Sequence, residues 1–228
     1  MTRKLYLFCN LGDVTMIEKG RSMVEMLGVL AIIGVLSVGA IAGYSKAMMK
    51  YKLNKHAESF NLLLNNAIYI KPQLERAFIG TRFDTELFAK LNLIPDGMHI
   101  QGNAIYDIFN TGYSISYYTH PTNGNIDYVI YVGFDRTNNK LTRQSSEICR
   151  NIVTVAKENA ANLYMLSLRS GQNDGTYSAQ VFYGNDLCSP GRNCLYNVNL
   201  QQIDDFCNSC ESENYCSMAI YLMVKKAA

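Results

Sequence analysis

Tryptophan is absent from this chain, histidine occurs three times and proline four times. His56, His99 and His120 are scattered. None has a cysteine, serine or carboxylate arrangement that points to a nucleophilic triad or a metal centre, so the expectation is no catalytic residue, no metal, no cofactor and no enzyme. "SGQNDG" (170–175) lacks the spacing of a calcium loop and reads as a turn. Charge of either sign is also in short supply: 21 basic against 19 acidic residues leave a net +2. Without a clustered basic face there is no direct nucleic-acid site to expect. The chain has no internal repeat and no low-complexity linker. Sixteen tyrosines accompany the missing tryptophan and point to a strand-rich, partly exposed surface.

The longest absence is of charge between Met26 and Tyr44, "MLGVLAIIGVLSVGAIAGY". As a helix this run spans about 28 Å, the thickness of a hydrocarbon core. A buried helix of a soluble core rarely stays uncharged on every face for five turns. Gly28, Gly34, Gly39 and Gly43 lie within it, and glycine lets neighbouring membrane helices approach closely. No small-x-small cleavage pattern follows the run, so it does not read as a secretory signal peptide. The first proline is Pro72, and no glycine falls between Gly43 and Gly80, so nothing breaks the helix at the membrane edge. Leu53, Ala57, Phe60, Leu64 and Ala67 continue it as an apolar stripe, with Lys50, Lys52, Lys55 and Glu58 on the solvated face. The spacing predicts one helix from about Ser22 to Ile70.

The rest supplies a cover for that stripe. "DTELFAKLNLIP" (84–95) reads as a short helix closed by proline. "GYSISYYT" (112–119) and "DYVIYVGFD" (127–135) flank "HPTNGN", whose Asn-Gly chemistry predicts a hairpin. "SSEICRNIVTVAKENAANLYML" (145–166) opens with a serine cap and carries helical periodicity. "TYSAQVFYG" (176–184) and "CSMAIYLMV" (216–224) read as further strands. The predicted fold class is α+β: one long N-terminal helix, half membrane-directed and half amphipathic, packed against a globular head with a largely antiparallel sheet.

A carboxylate, Glu25, sits against the start of the uncharged run, behind Lys19, Gly20 and Arg21. "KGRSMVEMLGVLAIIGVLSVGAIAGY" resembles the N-terminal signature of type IV pilins and of the pseudopilins of type II secretion systems. The match covers about residues 18 to 70. The resemblance implies that prepilin peptidase cuts after Gly20, removing residues 1–20 as a leader and making Arg21 the new N-terminus. Residues 21–70 would be the long helix, with 22–44 spanning the membrane, and 71–228 the head. The 20-residue leader is closer to the type IVb group. Arg21 stands where the family usually has phenylalanine or another apolar residue, N-methylated, and the mid-helix proline of many pilins is missing. Glu25 would lie one turn from the new α-amino group and near that of a neighbouring subunit. It therefore sets the register of assembly.

The resemblance implies a structural subunit of a type IV pilus, polymerised through its apolar helix and serving adhesion, motility or DNA uptake. A secretion pseudopilin, or a signal-anchored envelope binding protein that does not polymerise, are the other readings. The implied partners are further pilin subunits, prepilin peptidase, an inner-membrane assembly platform with its ATPase, and membrane lipid before assembly. The precursor would cross the bacterial inner membrane once, and the product would be an extracellular pilus or a periplasmic pseudopilus.

Six of the seven cysteines, Cys149, Cys188, Cys194, Cys207, Cys210 and Cys216, lie downstream of the run, while Cys9 stands apart. An even number beyond a membrane-directed segment predicts disulfides in an oxidising compartment. Cys207-x2-Cys210 has zinc-ligand spacing, but the five-residue gaps of Cys188–Cys194 and Cys210–Cys216 fit a zinc site poorly. Pilin heads often carry a disulfide-bounded C-terminal loop, and 188–216 resembles one in position. Spacing alone leaves the connectivity open; the pairing expected is Cys188 with Cys194, Cys210 with Cys216, and Cys149 with Cys207.

Overall fold

The computed structural model describes residues 23–77, 85–119, 126–134, 136–137, 140–141, 143–171, 177–208 and 215–225. The chain divides into two units, residues 1–47 and 48–228. A single helix, α1 (Met23–Ala77), contributes to both. It runs seven residues beyond the predicted end and contains Pro72. Proline removes one backbone donor and crowds the carbonyl four residues back, but its fixed φ is helical. With little more than one turn left, the interruption is tolerated there.

In the first unit every described residue from Met23 to Ala47 is exposed. The helix is long and apolar enough to cross a membrane, its most apolar window having a mean hydropathy of 2.4. No side chain here is covered by another element, and nothing lies within 4 Å of a Cβ built at Gly28, Gly34, Gly39 or Gly43.

The second unit is an α+β head. The remaining elements are α2 (Thr85–Lys90), β1 (His99–Gln101), β2 (Ala104–Tyr106), β3 (Gly112–Thr119), β4 (Ile126–Gly133), β5 (Arg136–Thr137), β6 (Lys140–Leu141) and α3 (Arg143–Glu158). After these come β7 (Met165–Gly171), β8 (Tyr177–Tyr183), α4 (Leu200–Asn208) and β9 (Tyr215–Lys225). Seven strands form one antiparallel sheet in the order β1-β2-β3-β4-β9-β7-β8, and β5 pairs with β6 separately. The expected hairpin is β3 with β4, in register from Gly112↔Gly133 to Thr119↔Ile126. Its turn lies outside the described residues. β9 enters between β4 and β7, and its run from Met218 to Leu222 is buried on both faces. A central strand covered on both sides needs an uninterrupted apolar run, which "CSMAIYLMV" provides.

Alternation sends Tyr113, Ile115 and Tyr117 of β3 and Tyr128, Ile130 and Val132 of β4 to one face. There they meet α1, α3 and α4. The buried line of α1 is His56, Phe60, Leu63, Ala67 and Ile70, with Leu64 beside it, so the stripe lies slightly round the helix from the one read by spacing. On the opposite face Val129, Ala219 and Tyr221 are buried among Tyr118, Tyr131, Tyr164 and Met165.

Two expectations are corrected. The helix predicted over 145–166 starts earlier, at Arg143, so Ser145 is a buried helical residue and not the cap. It also ends at Glu158, and Met165 and Leu166 begin β7. Asn159 closes the helix: its backbone N–H donates to Val155 and Ala156, and its side-chain Nδ2 donates to Val155 O at 2.9 Å. The chain then turns into the sheet beside Gly184, whose N–H donates to Tyr164 O. A Cβ at Gly184 would collide with the carbonyl of Leu163, so only glycine allows that backbone approach.

Candidate functional site

Glu25 occupies the first turn of α1, where the unpaired N–H groups of a helix start favour a carboxylate. Its side chain is exposed, and so are the apolar residues that follow it as far as Ala47, including Leu27, Ile32, Val35 and Ile41. Gly20 and Arg21 lie outside the described residues. The segment carries one acid at its start, and from Met26 to Tyr44 it offers lipid or another helix no charged residue. It can insert in a membrane, pack against copies of itself, and place one carboxylate at a fixed depth.

The head's polar core is built around a second residue of α1. His56 is fully buried, with Nε2 2.8 Å from Tyr113 Oη and 3.2 Å from Asp107 Oδ2. Tyr113 Oη also donates to Asp107 Oδ2 at 2.8 Å. The other carboxylate oxygen accepts the backbone N–H groups of Phe109 (2.8 Å) and Thr111 (2.9 Å), an Asx turn that fixes the loop between β2 and β3. Asn151 of α3 reaches across, donating to Leu53 O at 2.9 Å and to His56 Nδ1 at 3.4 Å. The Nε2 edge of the imidazole thus faces Asp107 and Tyr113. Phe60 stacks on the ring.

Burial opposes ionisation of Asp107, yet the hydrogen bond and the electrostatic pull of His56, followed by the bonds from Thr111 and Tyr113, win and hold its carboxyl below its ordinary range. Burial, then the Asp107 charge, pushes the Tyr113 phenol well up. Both carboxylate oxygens of Asp107, the Tyr113 hydroxyl and both ring nitrogens of His56 face other members of the group, while the buried Thr111 hydroxyl has no hydrogen-bond partner among the described residues. The group can lock α1, the β2–β3 loop and α3 together. In the sequence His56 stands without a cysteine, serine or carboxylate arrangement, and spacing does not single out Asp107 or Tyr113. The one signal present was the turn chemistry of "DIFNTG" (107–112).

The structure bonds Cys149 to Cys207, with Cα atoms 5.7 Å apart, and Cys188 to Cys194, with Cα atoms 5.4 Å apart. Both pairs are among those expected. Cys216 is disulfide-bonded as well, and Cys210 lies outside the described residues. The first bond ties α3 to α4 beside Arg150, which donates to Asp204 Oδ1 and Asn208 Oδ1. The second closes a small loop in which Arg192 lies 4.6 Å over the Tyr183 ring. Among the described residues no group of three or more His, Cys, Asp or Glu side chains is placed to hold a metal ion. Comparison with protein-family models, curated proteins and solved structures returns no match to this chain.

Proposed function

We propose that the chain is a structural, non-enzymatic subunit of a type IV pilus, cut after Gly20 and polymerised through the N-terminal part of α1. The observation that carries this reading is Glu25, in the first turn of a membrane-length helix exposed on every side. In lipid such a helix costs nothing, and Glu25 at its end reaches the interface. In a dry bundle of like helices the carboxylate needs a cation. The α-amino group freed at Arg21 of the adjoining subunit supplies one, and only in one register. The four glycines, with open space around them, allow close helix approach. An α+β head whose core takes in the second part of the same helix, and whose C-terminal region is disulfide-bounded, agrees with the pilin plan.

The reading is tested on the mature protein. Mass spectrometry of its N-terminal peptide is expected to begin at Arg21; a chain that still begins at Met1 removes the proposal. Glu25→Ala is expected to be cut and folded normally but to enter filaments at least about tenfold less well, the loss of one charge-assisted contact per subunit. Undiminished incorporation contradicts the register argument.

A further inference from the structure

On the sheet face away from α1, one cross-strand row can be followed through all seven strands: His99, Tyr106, Gly112, Gly133, Ser217, Arg169 and Ala179. The three in the middle, on the neighbouring strands β3, β4 and β9, carry almost no side chain. Glycine inside a strand loses packing and stability, and commonly marks a place where a ligand approaches the backbone. Gly133 is such a place: a Cβ there would meet only the Gly112 carbonyl oxygen, at 3.9 Å. At Gly112 the ring of Tyr106 stands 3.2 Å from where a Cβ would be, so the tyrosine forms an end wall. His99 stacks behind that ring.

The result is a trough of about 590 Å3, within the size range of small-molecule sites. Tyr106 and Arg169 bound its two ends, four inter-strand spacings or about 19 Å apart. Tyr131 forms one long side, its hydroxyl held 2.8 Å from Tyr118 Oη. Ser114 and Ser217 contribute hydroxyls, and Asn110, held at φ 62°, contributes an amide.

We infer that this trough is a binding site for an acidic saccharide. The aromatic rings of Tyr106 and Tyr131 suit the C–H surface of a sugar ring, and the two hydroxyls, amide and phenols suit its alcohol groups. Among the described lining residues Arg169 supplies the one guanidinium, which suits one carboxylate. An apolar peptide side chain would leave the serine hydroxyls, the Asn110 amide and the Arg169 guanidinium of the lining without a partner from the ligand. A nucleic acid would meet one cation among the described lining residues, where its phosphates need a basic groove.

The test uses the full chain in an amine-oxide detergent, which carries no sugar, titrated calorimetrically with a galacturonic acid trimer, galactose and acetate. The acidic trimer is expected to bind at least about tenfold more tightly than galactose or acetate. Gly133→Val fills the trough on an exposed strand position with open space above it, so it is expected to remove binding while leaving the urea unfolding midpoint unchanged. Arg169→Gln, at an exposed side chain, is expected to erase the preference for the acidic over the neutral sugar. Binding of acetate as tight as the trimer, binding untouched by Gly133→Val in the folded protein, or no saccharide binding up to about 10 mM overturns the inference. No filament is needed for this measurement, so its failure leaves the assembly reading standing.

Discussion

His56 and Asp107 show how a sequence hides its polar core. The two residues sit on elements far apart in the chain, and each alone reads as a surface group. Only the packing of α1 on the β2–β3 loop makes them partners, and sequence spacing carries no trace of that. The consequence is a pH dependence with a definite sign. Asp107 titrates below its ordinary range in the fold, so the stability it contributes is complete above the unfolded carboxylate value, about 3.9, and is lost as pH falls through the folded value. Asp107→Asn keeps the shape but weakens the bonds from Tyr113 and His56. It is expected to cost about 3 kcal/mol at pH 7, measured by urea unfolding. The variant should then lose less further stability than the parent between pH 5 and the acid transition. A variant with the parent's stability and the parent's acid profile would show that the cluster does not lock the core.

At the scale of elements, the strands with clean alternation or a continuous apolar run, β3, β4, β8 and β9, were legible. So was α1, because nothing interrupts its pattern. β7 was not, since Leu163 and Leu166 follow α3 at spacings that extend its helical stripe, and only the side chain of Asn159 and the tight approach at Gly184 end it. α4 was missed because nine residues are too few for a periodic signal to stand out. It is held from outside, by Cys149–Cys207 and by Arg150. The trough on the sheet's far face depends on register between five strands and could not be read from the chain. The two disulfides differ in what they do for these elements. Cys149 and Cys207 are buried and close a separation of 58 residues, while Cys188–Cys194 closes 6 and is partly exposed. Loop closure predicts a stabilisation of about 4 kcal/mol for the first and about 2 kcal/mol for the second. Mild reductant is therefore expected to open Cys188–Cys194 first, with alkylation mapped by mass spectrometry, and to lower the thermal transition by about 4–8 °C. Cys149→Ser with Cys207→Ser should lower it much further. The reverse order of reduction, or equal losses, would contradict this account.

For the whole molecule, the division at Ala47 and Met48 separates two different solvents' requirements within one helix. No residue before Leu53 belongs to the head's hydrophobic core, and the polar lock at His56 also lies beyond the division. Burial of apolar surface in the head therefore owes nothing to residues 23–47, whose exposed hydrocarbon is instead the cause of any insolubility in water. A chain beginning at Met48 is expected to be soluble without detergent, to show the same cooperative thermal unfolding as the full chain, and to keep both mapped disulfides. Its first turn would fray, because Met48 to Lys52 gain few tertiary contacts, but Leu53 onward is anchored by Asn151. The measurement is a pair of thermal scans by circular dichroism, one on the truncated chain in buffer and one on the full chain in detergent. A truncated chain that aggregates or unfolds more than about 10 °C lower would mean that the N-terminal segment supports the head, since a shift of that size corresponds to several kcal/mol in a domain this large. An unchanged transition would establish that the apolar half of α1 exists for what it touches outside the subunit.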